Sequence, residues 1–344
     1  MVEKKGFSEL KEKVINTELC SRCGACVLVC PYPGVLDYYS STPRLIGKCV
    51  DCGICLRVCP RYNDMVNELE ESVFGRTRRP EEKYGIYKQV IVAKSLDDET
   101  LKKCQDGGAV TSLLVSALEI GDIDGAIVSG LIPSKPWFPV PRLVTTREDI
   151  ISSAGTRYAF SPNILALKEA VGMSLKNVAF VGTPCQIQAI RQIQQVPLRK
   201  YGDIVKFTIG LFCTESFTYE GLMLKEIQGN LGIDLNEIKS INIKGKLIIT
   251  TKDGNQYKLS LKEVKKYTEM KCSNCMDFSA ELADISVGGV GLDGYTLTVL
   301  RTNLGVSILK DAVKRSMIET ESTDNFQSAM NLLIKLSETK RKAN

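Results

Sequence analysis

Among the side chains of this 344-residue protein that could do chemistry, the 13 cysteines stand out, and there is no histidine. The lack of imidazole removes Cys/His zinc sites, Rieske centres, histidine-held haem and every acid-base mechanism built on histidine. Thiolates, carboxylates or a bound cofactor must carry the chemistry. Two runs repeat one spacing: Cys20-x2-Cys23-x2-Cys26-x3-Cys30-Pro31, then Cys49-x2-Cys52-x2-Cys55-x3-Cys59-Pro60. A loop with three thiols at two-residue gaps wraps three corners of a cube of iron and sulfide, and Gly24 and Gly53 let the backbone turn tightly beneath it. Zinc ribbons or buried free thiols do not need a third cysteine at that gap followed by a fourth before proline.

In two-cluster ferredoxins the fourth cysteine of each run serves the other cube. That rule assigns Cys20, Cys23, Cys26 and Cys59 to one 4Fe-4S cluster, and Cys49, Cys52, Cys55 and Cys30 to a second. The N-terminus, MVEKKGFSELKEKVINTEL, mixes both charge signs and lacks the apolar core of a signal peptide, so a reducing, cytoplasmic setting is expected. The hydrophobic fraction of 44% and charged fraction of 25% are those of a globular protein. No run approaches the roughly 20 apolar residues of a membrane span. The formal charge of +5 falls close to neutral once anionic clusters are counted, and no basic stripe interleaves with aromatics, so nucleic-acid binding is not expected.

The elements that must position these groups divide the chain. Residues 1–63 form the expected ferredoxin-like domain, and 64–86 read as a linker, being charged, broken by Pro80 and only briefly helical. From Tyr87 the order becomes strand, loop, helix, strand: VIVAKS, QDGGAVTSLLVSALEIG, DGAIVSG. The expected fold class is α/β (α+β), with the two-cluster module followed by a mixed α/β body over 87–318 and a C-terminal helix over 319–344. Gln105-Asp106-Gly107-Gly108 precedes a helix whose first turn holds Thr111 and Ser112, the makings of a phosphate cradle and equally of an ordinary turn and cap. Ala154-Gly155-Thr156-Arg157-Tyr158 with Ser161-Pro162, and Gly182-Thr183-Pro184 after the strand VAFVG, have similar character. No GxGxxG follows a strand, so a dinucleotide fingerprint is missing. LIITTKDGNQYKLSL reads as a hairpin about Asp253-Gly254. The segment from Asp277 leads into a strand and a glycine-rich loop at Gly288-Gly289, where backbone could approach a flat cofactor. GVSILKDAVKRSMIE and FQSAMNLLIKLSETKRK read as packed amphipathic helices.

Five cysteines remain. Cys104 reads as a buried inert thiol. Cys185 and Cys213 follow predicted strands, where the loops of an open sheet meet ligands, and Cys272-x2-Cys275 could complete a four-thiolate site with them. Equally, Cys185 and Cys213 could be core thiols and the CxxC a separate redox pair.

In order, QDGGAVTSLL, AGTRYAFSPN, VGTPCQIQAIR, LFCTESF and KCSNCMDFSAELADISVGGVG resemble the family formed by the beta subunits of coenzyme F420-dependent hydrogenases and dehydrogenases, from about Tyr87 to Ile318. The resemblance implies a bound FAD, coenzyme F420 or a related two-electron partner as substrate, and one 4Fe-4S cluster in the body. The residues matching that cluster pattern are Cys185, Cys213, Cys272 and Cys275, so three 4Fe-4S clusters are expected in all. It also implies flavin contacts, for which Gly107, Gly108, Thr111, Ser112, Gly155, Thr156, Ser161, Gly182, Thr183 and Gly288 are the candidates, with Arg157 for the acidic tail of F420. A dicluster module ahead of such a body resembles the electron-input subunit of archaeal F420H2 dehydrogenase complexes. The implied partner is then a larger electron-accepting complex at the cytoplasmic face of a membrane. Sulfite-reducing members of the family need a further sirohaem domain, for which little chain follows Ile318.

A deazaflavin delivers hydride, whereas a cubane takes one electron at a time. FAD converts between the two, so no catalytic side chain is expected. The competing expectation is an electron-wiring module without a substrate of its own, or a subunit wiring another reductase or hydrogenase. Flavin released on denaturation separates the enzyme from the bare module.

Overall fold

The computed structural model of the chain describes residues 6–39, 42–196 and 199–342. The first five residues of the expected N-terminal module and the last two of the C-terminal helix lie outside the described residues. Near the N-terminus, a helix from Phe7–Leu10 that continues through Lys11–Ile15 buries Phe7, Leu10 and Val14. Each cysteine loop then feeds a one-turn helix, Ala25–Leu28 or Ile54–Arg57, through a left-handed glycine, Gly24 at φ 84° and Gly53 at φ 74°. Between the loops, β1 (Leu36–Tyr39) and β2 (Thr42–Leu45) pair antiparallel, Leu36 opposite Leu45.

The body is built on a mixed sheet. Its strands are β3 (Gln89–Ser95), β4 (Gly125–Ile132), β5 (Lys135–Val144), β6 (Val178–Gly182) and β7 (Val205–Leu211). A separate three-stranded sheet follows, β8 (Ile238–Ile243), β9 (Lys246–Thr251) and β10 (Gln256–Ser260), before the main sheet resumes with β11 (Ile285–Gly288), β12 (Thr296–Leu300) and β13 (Ile318–Glu321). The main sheet has the order β13-β3-β12-β11-β7-β6-β4-β5. Strands β4, β6, β7 and β11 are mutually parallel, and β12 is antiparallel to both β11 and β3. The carboxyl ends of β3, β6, β7 and β11 therefore share one edge, where ligands meet open α/β sheets.

Helices cover both faces, which is why the central strands are apolar on both. Ala179 and Val181 of β6 pack with Leu113 and Leu114 of the helix Ala109–Glu119 and with Ile308 of Asn303–Lys314. Val178 and Phe180 pack the other way, with Ile187, Ile190 and Ile193 of Pro184–Gln195. The β9–β10 hairpin, Gln256 opposite Thr250, buries Leu247, Ile249 and Leu259 against Leu222, Met223 and Ile227 of the helical segment Glu220–Asn230.

Two expected boundaries differ. Residues 64–86 are packed: Val66–Phe74 is a helix with Leu69 fully buried, and Tyr84 and Ile86 are buried too. Leu69 shares one core with Leu28, Val29 and Val58 of the cysteine module and with Ile187 and Ile190 of the body, so charge density on the outer face masked a helix with one buried stripe. At the other end the helix Asn303–Lys314 stops short of Ser316, which is left-handed at φ 54°. Residues Ile318–Glu321 then pair antiparallel with β3, so the boundary expected after Ile318 falls inside a strand. Four residues of alternation are too few to stand out beside an amphipathic run.

Candidate functional site

Cys20, Cys23 and Cys26 of the first run and Cys59 of the second line one cavity, walled by Leu10, Val14, Ile15 and Pro43. Cys49, Cys52 and Cys55 line another with Cys30, so each cavity takes its fourth thiol from the other run. The repeat extends to the backbone: Arg22 and Asp51 both adopt left-handed φ, 59° and 53°. That turn aims the Arg22 amide at Cys20 Sγ, 3.4 Å away, and the Asp51 amide at Cys49 Sγ, 3.5 Å away. Burial, reinforced by neighbouring thiols, pushes Cys55 and Cys59 up to about 12. As free groups these thiols stay protonated, and ionising them takes cations bound at sulfur. Among the described residues no three metal-ligating side chains converge on a point for a single ion. Each set of four thiols lines its own cavity.

The third set assembles at the carboxyl edge of the main sheet. Cys185 opens the helix that follows β6, with Thr183 Oγ1 3.4 Å from its sulfur. Cys213 follows β7 and donates its amide to Phe278 O at 2.8 Å. Cys272 and Cys275 flank a tight turn, and the Ser216 amide donates to Cys272 Sγ at 3.4 Å. Burial first, then the neighbouring Cys272, Cys185 and Cys275, pushes the Cys213 thiol well above its ordinary value, which makes the four one electrostatic group. This set adjoins the cysteine module: Arg61 donates to Asn274 O at 2.8 Å, and Arg22 pairs with Glu269 at 2.9 Å.

The loops singled out for a cofactor gather at the same edge in two groups. Gln105 Nε2 donates to Tyr158 Oη at 3.1 Å, joining the Gly107-Gly108 loop to the Gly155-Thr156 loop, and Gly289 backs onto Asp106. Ser161 O accepts from Gln186, whose Oε1 accepts the Thr183 amide at 3.2 Å, joining Ser161 to Gly182-Thr183. Not every residue is free to meet a ligand. Ser112 is fully buried and its hydroxyl bonds Ser95 Oγ at 2.7 Å, facing the sheet. A Cβ on Gly107 would strike backbone of Ala93 and Thr296, on Gly182 the Phe180 ring, and on Gly288 the Phe212 ring. Protein atoms already fill those spaces, so close packing accounts for these three glycines. Thr111 is buried in the first turn of its helix, whereas Gly155 and Thr156 are exposed. Arg157 donates to the carbonyls of Ala154, Gly155 and Ser153, so its guanidinium holds its own loop, and burial lowers its value to about 10. Its Nε and the neighbouring Ser153 Oγ are buried without partners, which fits a polar group docking at this loop.

Nothing local in the sequence singles out Arg61, Arg22, Glu269 or Lys271, which come together only where module and body touch. The same is true of Arg301, 1% exposed, which donates to Ser286 Oγ, Ile86 O and Ser279 and so fastens the segment after the CxxC to the sheet. A single arginine ending an apolar strand carried no signal.

Residues 12–60 match a 4Fe-4S dicluster domain, which defines the N-terminal module as an iron-sulfur unit. Residues 90–168 match the N-terminal part, and 175–325 the C-terminal part, of the coenzyme F420 hydrogenase/dehydrogenase beta subunit, and the chain belongs to that family. The coenzyme F420 hydrogenase subunit beta of Methanosarcina barkeri is 41% identical over 265 residues, 76% of this chain and 90% of that protein. A subunit of the F(420)H(2) dehydrogenase of Methanosarcina mazei is 31% identical over 347 residues, 96% of this chain and 92% of that one. The coenzyme F420-dependent sulfite reductase of Methanocaldococcus jannaschii is 35% identical over 329 residues, but this chain spans 49% of its length. Among solved structures, a chain of the xenon-derivatised F420-reducing [NiFe] hydrogenase complex from Methanosarcina barkeri superposes with TM-score 0.73 at 40% identity, covering 77% of this chain and 92% of that chain. Among the described residues no helix is long and apolar enough to cross a membrane.

Proposed function

We propose that this chain oxidises reduced coenzyme F420 by hydride transfer to a bound FAD and passes the electrons singly through three 4Fe-4S clusters to a partner complex at the cytoplasmic face of a membrane. The observation that carries this reading is the order of the thiol sets. The body set lies at the sheet edge with the candidate cofactor loops, and its Cys185 is an electrostatic neighbour of Cys20 in the inner set. The inner set's Cys26 neighbours Cys55 of the outer set, whose Cys52 is exposed. The F(420)H(2) dehydrogenase relative is one subunit of its enzyme and aligns over 96% of this chain, which supports the role of electron input.

FAD, when bound, supplies the conversion from a hydride to single electrons. The chain's share is position. The loop Ser153–Arg157 offers the unpartnered hydroxyl and guanidinium nitrogen to a polar ligand, Thr183 sits between the loop at Ser161 and the first thiol of the body set, and the outer set faces a partner through exposed Tyr32, Ile46 and Val50.

Anaerobically reconstituted protein should hold about twelve irons and one FAD per chain. Cys272→Ala with Cys275→Ala should lower the iron towards about eight and leave the rest. F420H2 should bleach the flavin, and NADH should not, for want of a dinucleotide fingerprint. Full iron without flavin would replace the enzyme by a wiring module. Eight irons in the unmutated protein, or bleaching by NADH as fast as by F420H2, would overturn the assignment.

A further inference from the structure

Lys271 is 5% exposed, and its ammonium has no hydrogen-bond partner. It sits 3.5 Å from the centre of the Phe160 ring, on a loop that also carries cofactor candidates. A buried, unpaired cation is among the more costly features a fold can hold, and a ring face offsets only part of that. The surroundings say what would complete it. Its chain neighbour Cys272 belongs to the body set, whereas the salt bridge from Glu269 to Arg22 presses this turn against the loop from Cys20 to Cys23 of the inner set. Burial opposes the ammonium and so does Arg22, whereas Glu269 favours it, followed by the thiols of Cys185 and Cys272; Glu269 makes its hydrogen bond and salt bridge to Arg22 and none to the lysine. The lysine's charge acts on Cys20 and Cys23 on one side and on Cys185 and Cys272 on the other.

We infer that Lys271 is a positioning residue for electron transfer, a buried counter-charge shared by the body and inner clusters that raises the reduction potential of both. The inference rests on the proposal that both thiol sets hold 4Fe-4S clusters. Each cube with its four thiolates is anionic, and reduction adds a further negative charge. A fixed ammonium between them, away from water, favours the reduced form of either and weakens their mutual repulsion. The step it serves is a one-electron exchange in which one cube gives up the electron that reduces the other. No proton transfer is part of this step. The outer set adjoins the inner one through Cys55 and Cys26 and lies on the side away from the body set, so the effect of this charge should be weakest there.

The test is an EPR-monitored redox titration of the full reconstituted chain, with Lys271→Met removing the charge at similar volume and Lys271→Arg restoring it. Lys271→Met should shift the one-electron reduction equilibrium of the body and inner cubes at least tenfold towards the oxidised form, about 59 mV each. The outer cube should move least, and Lys271→Arg should recover most of the shift. Unchanged potentials with complete iron in Lys271→Met, or an equal shift of all three cubes, would overturn the inference. If Lys271→Met fails to retain iron, full loading in Lys271→Arg supports the charge, and loss in both variants overturns it in favour of a shape requirement. Absence of the body or inner cube from the unmutated protein would instead count against the three-cluster proposal, so the two failures are distinct.

Discussion

Gly108 shows how one residue serves the fold before it serves a ligand. It starts the helix Ala109–Glu119 at φ 73°, and a Cβ there would lie 2.9 Å from Thr100 Cγ2, 3.1 Å from Ser95 Cβ and 3.2 Å from Cys104 Sγ. Gly108→Ala should destabilise the protein by about 1–2 kcal/mol from the left-handed backbone, with crowding adding to it. A urea-denaturation midpoint equal to that of the unmutated protein would show the position to be relaxed. Glu281 makes a second residue-scale prediction. Burial first, then the Asp277 carboxylate, pushes its carboxyl up to about 7, against the pull of Arg341, Arg301 and Arg78. The folded chain keeps this proton after the unfolded chain has lost it at about 4.3. The group's contribution to stability therefore falls as pH rises from there to about 7, then levels. Unfolding midpoints at about pH 5.5 and about pH 8 should differ less in Glu281→Gln than in the unmutated protein. An identical pH slope in both would assign it to other groups.

At the scale of elements, the last helix is the outer wall of the site. Gln327–Lys342 buries Ala329 and Leu333 against Val92, Leu297 and Val299 of the main sheet and against Phe278, which follows the CxxC. Lys340 reaches Cys272 O at 3.0 Å, and Arg341 pairs with Glu281. Leu333 is fully buried, so Leu333→Ala should cost about 2–5 kcal/mol through lost transfer energy and a cavity. Read by calorimetric or urea unfolding, a loss within about 0.5 kcal/mol would mean that the helix is held by its ends alone. The amphipathic pattern of this helix was plain in the sequence. Its docking beside the CxxC was not, because the charged residues that tie it there look like any solvated face.

The whole molecule is less divisible than its motifs. Cys23, Leu28 and Val29 of the cysteine module share a core with Ile164, Ile187 and Ala280 of the body, and a Cβ on Gly24 would press into Leu165. Deleting residues 1–61 would therefore uncover an apolar face and remove Arg61 from beside the body thiols. The truncated chain is expected to aggregate or to lose the body cluster, measured by size-exclusion chromatography and iron content. A monomeric product with a full body cluster would show the module to be detachable. On the proposed electron route, Cys49→Ser with Cys52→Ser separates the functions more cleanly, since it should abolish the outer cluster and electron delivery to the partner while flavin bleaching by F420H2 persists; loss of both would overturn that route.

Local pattern was enough for the two cysteine runs, the α/β order, the hairpin at Asp253-Gly254 and the family resemblance. Each depends on residues close in sequence, where thiol gaps, strand alternation and turn glycines act over a few positions. Which of the candidate glycines face open space was beyond its reach. Gly182 is crowded by its near neighbour Phe180, but Gly107 and Gly288 are small because Thr296 and Phe212 come up against them. Gly107 meets the start of β12, far along the chain, and the close approach of Phe212 to Gly288 exists only because β7 and β11 pair in parallel. The same holds for the seam where Arg22, Arg61 and Lys271 meet two sets of thiols. Packing across the sheet edge decides which charges are buried without water to screen them, and that has no counterpart in any window of sequence.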